Sequence, residues 1–277
     1  MNDQKFAKIE DSFVLDQDYI NAFKKLGINS IDGIFAFTAG EDLAKINLAS
    51  YRSRIKFEID SPKNVLYLKR YNRPPICLQI KNWLAQKNRT SCGRIDYETS
   101  DKLLKLGINT AKVIAFCEQN GPIFEKRSFC ITEQIPNAES IERKLPCCFT
   151  QTTSKNRTLQ KNFIKELAQF INQFHKTGYR HRDLYFSHIF YDEAGRFYLI
   201  DLSRVFIPLL LDEYFRIKDI AELYYSTPAK YFSNTDRLRF YFAYTGCDFL
   251  SDKDKRFIKK VIRKVRRIKR HDKKTNN

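Results

Sequence analysis

Apolar positions in this chain change their period about halfway along it. In the first half they alternate with polar residues or run in short blocks bounded by turn formers, the pattern of strands. GIFAFTA, SRIKFEI and NVLYLKRY read this way, with Ser61-Pro62-Lys63-Asn64 as the turn between the last two. AKVIAF and SFCITEQI follow, joined through Asn120-Gly121-Pro122. Two helices interrupt them, one around Asp18 to Leu26 closed by Gly27, the other from Ile95 to Leu106 closed by Gly107. After Pro136 the period becomes helical. ESIERKL and LQKNFIKELAQFINQFHKTG are helices, and in the second Phe163, Leu167, Phe170, Ile171 and Phe174 share one face. Two short β runs, Ser187 to Tyr191 and Phe197 to Ile200, then enclose DEAGR as a hairpin, and helices continue to the end. The expectation is an α+β chain of two lobes, β-rich first and mainly helical second. Residues 1–30 read as an N-terminal extension with a short helix, 31–135 as the β-rich lobe and 136–277 as the helical lobe.

Composition narrows the partners. Hydrophobic residues make up 43% of the 277, enough for a packed core and too many for a disordered chain. The net charge of +18 implies an anionic partner: nucleic acid, phospholipid or a phosphorylated glycan. Thirteen Lys or Arg stand against three Asp between Asp252 and Lys274. There Phe257, Ile258, Val261, Ile262, Val265 and Ile268 form one helical stripe opposite a basic face. Such a helix docks on anionic headgroups or phosphorylated glycan, or packs by its apolar stripe with the basic face solvated; both readings stay open. No nucleic-acid motif accompanies it, so nucleic acid is not expected. No apolar run approaches the roughly 18 residues of a membrane span. MNDQKFAKIEDSF lacks a signal-peptide pattern, and the expectation is a cytoplasmic protein. The seven Cys are odd in number and include no C-x-x-C pair, which fits reduced thiols and no zinc site.

Candidate chemistry concentrates in HRDLYFSHIF, His181 to Phe190, and in YLIDLSRV, ending at Val205. A hairpin returns the chain to its starting end, so Asp183 before it and Asp201 after it come close together. Two carboxylates with a His beside them suit a divalent metal and proton transfer.

The pattern resembles the protein-kinase catalytic loop, H-R-D followed by a metal ligand. It resembles more closely the bacterial lipopolysaccharide kinases, the family of Kdo kinases and core-heptose kinases. The residues that carry this run in order from about Phe35 to Arg270. They are YLKRYNRPP, Glu98 with LGINTAKVIAF, SFCITEQIPNAESIE, GYRHRDLYFSHIF, LIDLSRV, RIKDIAELYYST, and the ending RFYFAYTG with SDKDKRFIKKVIRKVRRI.

The resemblance implies a bilobal protein-kinase-like fold and ATP with Mg²⁺, or Mn²⁺ in its place. It implies Asp183 as the base for the acceptor hydroxyl and Asp201 and His188 as metal ligands, with a phosphate contact as the alternative for His188. Lys69 would grip phosphates and Glu98 would pair with it, with Asp96 and Asp101 as alternatives on the same helix. Glu133 lies in the nucleotide-binding hinge, and Asp219 has a structural part in holding the loop. The phosphate-covering turn falls in Lys45 to Arg54, although no G-x-G-x-x-G occurs there.

Departures bear on the substrate. His188 stands where protein kinases have Asn, as in the heptose-kinase branch. There is no D-F-G and no A-P-E, and only sixteen residues separate Asp201 from Lys218, too few for a peptide-binding activation segment. The implied acceptor is a sugar hydroxyl of the lipopolysaccharide inner core in a lipid A–core precursor, heptose over Kdo, at the cytoplasmic face of the inner membrane. Two rival readings stand beside it. One is a kinase acting on a protein tyrosine or small molecule; the other is a catalytically silent binder of anionic glycan or nucleic acid.

Overall fold

The computed structural model describes residues 6–10, 12–43, 49–148 and 154–275. The chain divides into two compact units, Met1–Lys105 with Thr110–Pro136, and Leu106–Asn109 with Asn137–Asn277.

The first unit is built on a seven-stranded antiparallel sheet. Its strands are β1 (Phe6–Glu10), β2 (Phe13–Asp16), β3 (Glu41–Asp42), β4 (Arg52–Asp60), β5 (Lys63–Asn72), β6 (Val113–Asn120) and β7 (Glu125–Glu133). Their spatial order is β1-β2-β6-β7-β5-β4-β3. Helices α1 (Ile20–Lys25), α2 (Ile31–Ala36), α3 (Ile76–Gln86) and α4 (Cys92–Lys105) belong to the same unit. Period-2 alternation explains the two faces of β5: Leu66 and Leu68 enter the core, while Lys69 and Tyr71 lie on the opposite face. The core joins Phe13, Leu15, Phe23, Ile34, Phe57 and Phe129, and each such side chain stabilises by about 1.5–3 kcal/mol when fully buried.

Two expectations fail here. The described residues before position 31 are no appendage, because β1 and β2 join the sheet and Phe13, Tyr19 and Phe23 fill its core. GIFAFTA is not a strand. Ser30 caps α2 by accepting from the Gly33 amide at 3.0 Å, and Ile31 and Ile34, one turn apart, are both buried. A capped turn with an i, i+3 apolar face outweighs the β-like composition of the segment.

Helix α4 sits close against β7. A Cβ on Gly93 would come within 2.8 Å of the Phe129 carbonyl oxygen, so glycine is required for that approach. The Gly93 amide donates to Ser128 Oγ at 2.9 Å, which pins the helix face three residues before Asp96.

The second unit is mainly helical. It contains β8 (Ala138–Ser140), α5 (Ile141–Cys148), α6 (Ser154–Lys176), β9 (Ile189–Asp192), β10 (Phe197–Leu199), α7 (Asp212–Ser226), α8 (Asn234–Thr245) and α9 (Asp252–Thr275). The hairpin β9–β10 pairs Tyr191 with Phe197 and Ile189 with Leu199, and β8 adds to its β9 edge. Phe163, Ile164, Leu167, Ile171 and Phe174 bury one face of α6. Phe257, Val261 and Val265 bury the inner stripe of α9, which packs on α7. The apolar-stripe reading of α9 therefore holds, and its basic face remains outward.

Candidate active site

The hairpin's two flanks are tied together. Arg180 and Phe206 form an antiparallel bridge, with amide-to-carbonyl distances of 2.9 and 3.2 Å. The Ile200 amide donates to the His188 carbonyl at 3.1 Å. His181, fully buried, joins through Nε2 to the Ile200 carbonyl at 3.0 Å. Burial holds this imidazole below its usual pKa, so the neutral ring donates from Nε2. These links bring the segments bearing Asp183 and Asp201 side by side. Both segments carry a non-glycine residue at positive φ, Arg182 at 68° and Asp201 at 56°. Such backbone persists only where surrounding contacts hold it.

Helix α7 supplies those contacts. Asp219, with no exposed surface, accepts from the His181 amide at 2.8 Å and the Arg182 amide at 2.7 Å. One turn on, Glu222 accepts from the Leu184 amide at 3.2 Å, and Ser226 Oγ accepts from the Phe186 amide at 3.0 Å. Lys218 donates to the Arg182 carbonyl and pairs with Glu222. Burial opposes the Asp219 charge, but hydrogen bonds from His175 and the His181 amide outweigh it and hold this carboxyl below its usual range. His175 is itself kept neutral by burial. Its Nε2 therefore donates to Asp219 at 3.2 Å while Nδ1 accepts from Tyr244 at 2.8 Å. Glu222 is pushed up to about 7, chiefly by burial, with Lys218 opposing and Asp183 and Asp219 adding to the rise.

Asp183 points out of this scaffold with a quarter of its side chain exposed. Arg204 Nη1 donates to both its oxygens at 2.8 Å, and Lys218 Nζ lies 4.0 Å from Oδ1. His188 Nδ1 is 2.8 Å from the Asp183 carbonyl. A carbonyl only accepts, so Nδ1 carries the proton, and in the neutral ring Nε2 presents its lone pair. That nitrogen lies 4.0 Å from Asp201 Oδ2, and Ser203 Oγ donates to Asp201 Oδ1 at 3.2 Å. The sequence-predicted trio Asp183, His188 and Asp201 is thus brought together. The Arg182 guanidinium lies over the Phe206 and Phe215 rings.

Among the described residues no cluster of three or more Asp, Glu, His or Cys is arranged to hold a metal. Asp201 and His188 together still fit a divalent cation that takes its remaining ligands from phosphate oxygens and water, the usual habit of Mg²⁺.

The first unit places Lys69 on β5, opposite Arg54 and Cys130. Its Nζ is 3.5 Å from Asp96 Oδ1, and Tyr71 donates to Asp96 Oδ2 at 2.8 Å. The partner of Lys69 is therefore Asp96, not Glu98. Two residues along a helix turn the side chain by about 200°, and Glu98 pairs instead with Arg94 at 3.4 Å and Lys102 at 2.9 Å. Asp101 pairs with Lys105. Glu133, in the expected hinge, accepts from Tyr19 at 2.5 Å and pairs with Lys112 at 3.3 Å. Its amide donates to the Lys112 carbonyl. Of the expected phosphate-covering turn, residues 45–48 lie outside the described residues.

Sequence reasoning passed over Arg204, Lys218, Glu222 and Ser226. The last three stand four residues apart along α7, a spacing that puts them on one helix face with Asp219.

Residues 66–244 match the model of the lipopolysaccharide kinase (Kdo/WaaP) family. Among similar proteins is the lipopolysaccharide core heptose(I) kinase WaaP of Escherichia coli, 26% identical over 53% of this chain and 58% of its own length. The enzyme of that name from E. coli K12 is 24% identical over 70% of this chain and 75% of its own length. That of Pseudomonas aeruginosa is 25% identical over 58% and 62%. The chain thus spans about three fifths of the length of two of these relatives. A solved structure, WaaP in complex with acyl carrier protein, superposes with a TM-score of 0.69 over 92% of this chain and 98% of that one, at 19% identity. That likeness shows a shared fold, with a β-rich N-terminal part and a mainly helical C-terminal part.

Proposed function

Because the chain belongs to the lipopolysaccharide kinase (Kdo/WaaP) family, we propose that it is an ATP-dependent kinase of a sugar hydroxyl in the lipopolysaccharide inner core. Heptose is favoured over Kdo, since the matched relatives are heptose(I) kinases. The observation that carries the reading is the loop of the second unit. A carboxylate, an imidazole lone pair and a second carboxylate are presented together on a backbone held by α7. The site acts at the cytoplasmic face of the inner membrane, where the lipid A–core precursor is anchored, and the protein associates there peripherally.

Asp183 is the base. It accepts the proton of the acceptor hydroxyl as that oxygen attacks the γ-phosphorus and the bond to the ADP oxygen breaks. Phosphoryl transfer needs little covalent help, so orienting the hydroxyl is the larger part of this task. Arg204 occupies both Asp183 oxygens, so the acceptor must share or displace it, which frees a guanidinium beside the reacting oxygens. Asp201 and His188 would hold the Mg²⁺ that neutralises phosphate charge. An imidazole donor is softer than an amide oxygen, so Mn²⁺ is an acceptable substitute. In the first unit Lys69, held by Asp96, supplies a cation for phosphate oxygens.

The test follows the γ-phosphate of labelled ATP into core-truncated lipopolysaccharide. Asp183→Ala should lower kcat by roughly 10²–10⁴-fold, the usual worth of a general base, while ATP still binds. Turnover equal to the wild type would remove Asp183 from the mechanism. Label on the protein alone would point to another acceptor.

A further inference from the structure

Between the catalytic segment and α7 the chain runs Phe206-Ile207-Pro208-Leu209-Leu210-Leu211. Leu209, Leu210 and Leu211 are 72%, 79% and 71% exposed, and Ile207 is 41% exposed. Three consecutive leucines in water are unusual for a surface with no apolar partner. Loose chain is not the cause, because both roots of the loop are pinned. Phe206 bridges Arg180 and stacks edge-on against Phe215 at 4.9 Å. At the other root Arg180 pairs with Asp212 at 2.6 Å, and Leu211 holds a left-handed backbone at φ 62° as the residue that opens α7.

The same end of α7 is gripped by the basic helix. Lys260 donates to Glu213 at 2.6 Å, and Lys264 lies over the Tyr214 ring at 5.2 Å. Helical spacing places Arg256, Arg263 and Arg267 on the face of α9 that carries these two lysines, and all three are exposed. An apolar tip beside a cationic face is what an anionic bilayer selects, hydrocarbon for the leucines and headgroups for the cations.

We propose that Leu209, Leu210 and Leu211 insert into an anionic lipid bilayer while the α9 cations bind its headgroups. No helix among the described residues is long and apolar enough to cross a membrane. The functional consequence rests on the reading of the acceptor as a membrane-anchored glycan. Arg204, which holds the base, is five residues from Leu209, so the chain keeps them within about 18 Å. Insertion would set Asp183 at the height of sugars close to the lipid.

The test uses the full chain with vesicles of phosphatidylcholine, with and without phosphatidylglycerol. Binding should require phosphatidylglycerol and weaken with salt. Replacing Leu209, Leu210 and Leu211 together by Asp should reduce partitioning by more than about tenfold. Arg263→Glu with Arg267→Glu should reduce it and flatten the salt dependence. In a Trp83→Phe background, the fluorescence of the Leu210→Trp variant should be quenched by brominated lipid. An unquenched indole signal from that variant, or unchanged binding by the triple Asp variant, would overturn the proposal. Transfer to delipidated, water-soluble core oligosaccharide should be unchanged in the triple variant and lost only for the bilayer-bound acceptor. If the wild type phosphorylates neither glycan, the acceptor reading fails, while the vesicle and quenching results still decide insertion.

Discussion

Asp96 and Glu98 show what a two-residue shift means chemically. Asp96 is 4% exposed and joins Lys69 to Tyr71, whereas Glu98 spans two surface cations of its own helix. Exposed i, i+4 pairs of the Glu98 kind contribute about 0.3–0.5 kcal/mol. Removing Asp96 takes its carboxylate away from the Lys69 ammonium and the buried Tyr71 hydroxyl, at a cost of roughly 1–3 kcal/mol. Asp96→Ala should therefore lower kcat/KM for ATP by more than about tenfold, with Glu98→Gln within about twofold of the wild type. Steady-state kinetics on the two variants checks the assignment, and equal losses would return Glu98 to the site. The sequence contains both carboxylates on one helix, and the periodicity of CGRIDYETSDKLLK admits either face. What selects Asp96 is the approach of Gly93 to β7, a long-range contact that no local pattern carries. By contrast Asp183, His188 and Asp201 are legible because a short hairpin brings its own flanks together.

At the scale of elements, α7 works as a rack for the loop that bears Asp183. Lys218, Asp219, Glu222 and Ser226 meet the backbone of residues 181 to 186 at successive turns. Residues 181 to 185 lie outside any helix or strand, so their amides need partners elsewhere, and Asp219 and Glu222 on the α7 face provide acceptors. Asp219→Asn keeps the shape but replaces one acceptor oxygen by a donor facing the backbone amides. It should cost on the order of 2–3 kcal/mol in stability. It should also lower kcat more than the KM for ATP, because the loop that aims Asp183 relaxes. Urea unfolding together with kinetics would measure both; an unchanged kcat would show that the loop holds without its clamp. From sequence alone, Asp219 is readable as a loop-holding residue through the family resemblance. Its companions are not, since they are recognisable only once the helix face has a loop to serve. The misreading of α2 as a strand has the same origin: a six-residue apolar segment is decided by its Ser30 cap and by what it packs on.

For the molecule as a whole, pH response sums groups of opposite sign. His175 and His181 have folded pKa values below the ordinary value of 6.5, so they contribute stability above that pH and lose it as the solution is acidified. Asp219 acts in the same direction at lower pH, through its depressed carboxyl. Glu222 runs the other way. Its folded value of about 7 lies above the ordinary 4.5, so its contribution is complete below pH 4.5 and is lost as pH rises through 7. On acidification from pH 7.5 to 5.5 Glu222 therefore offsets part of the histidine loss, by about 2 kcal/mol on its own. Glu222→Gln removes that offset while keeping an acceptor for the Leu184 amide. The variant should lose stability more steeply than the wild type across this interval, with the gap between them widening toward pH 5.5. Urea titrations of both proteins at the two pH values measure the gap directly. Parallel pH dependence would mean that Glu222 stays ionised against Lys218 throughout, and the proximity of that lysine to Asp183 would then be a fixed feature of the site at both pH values.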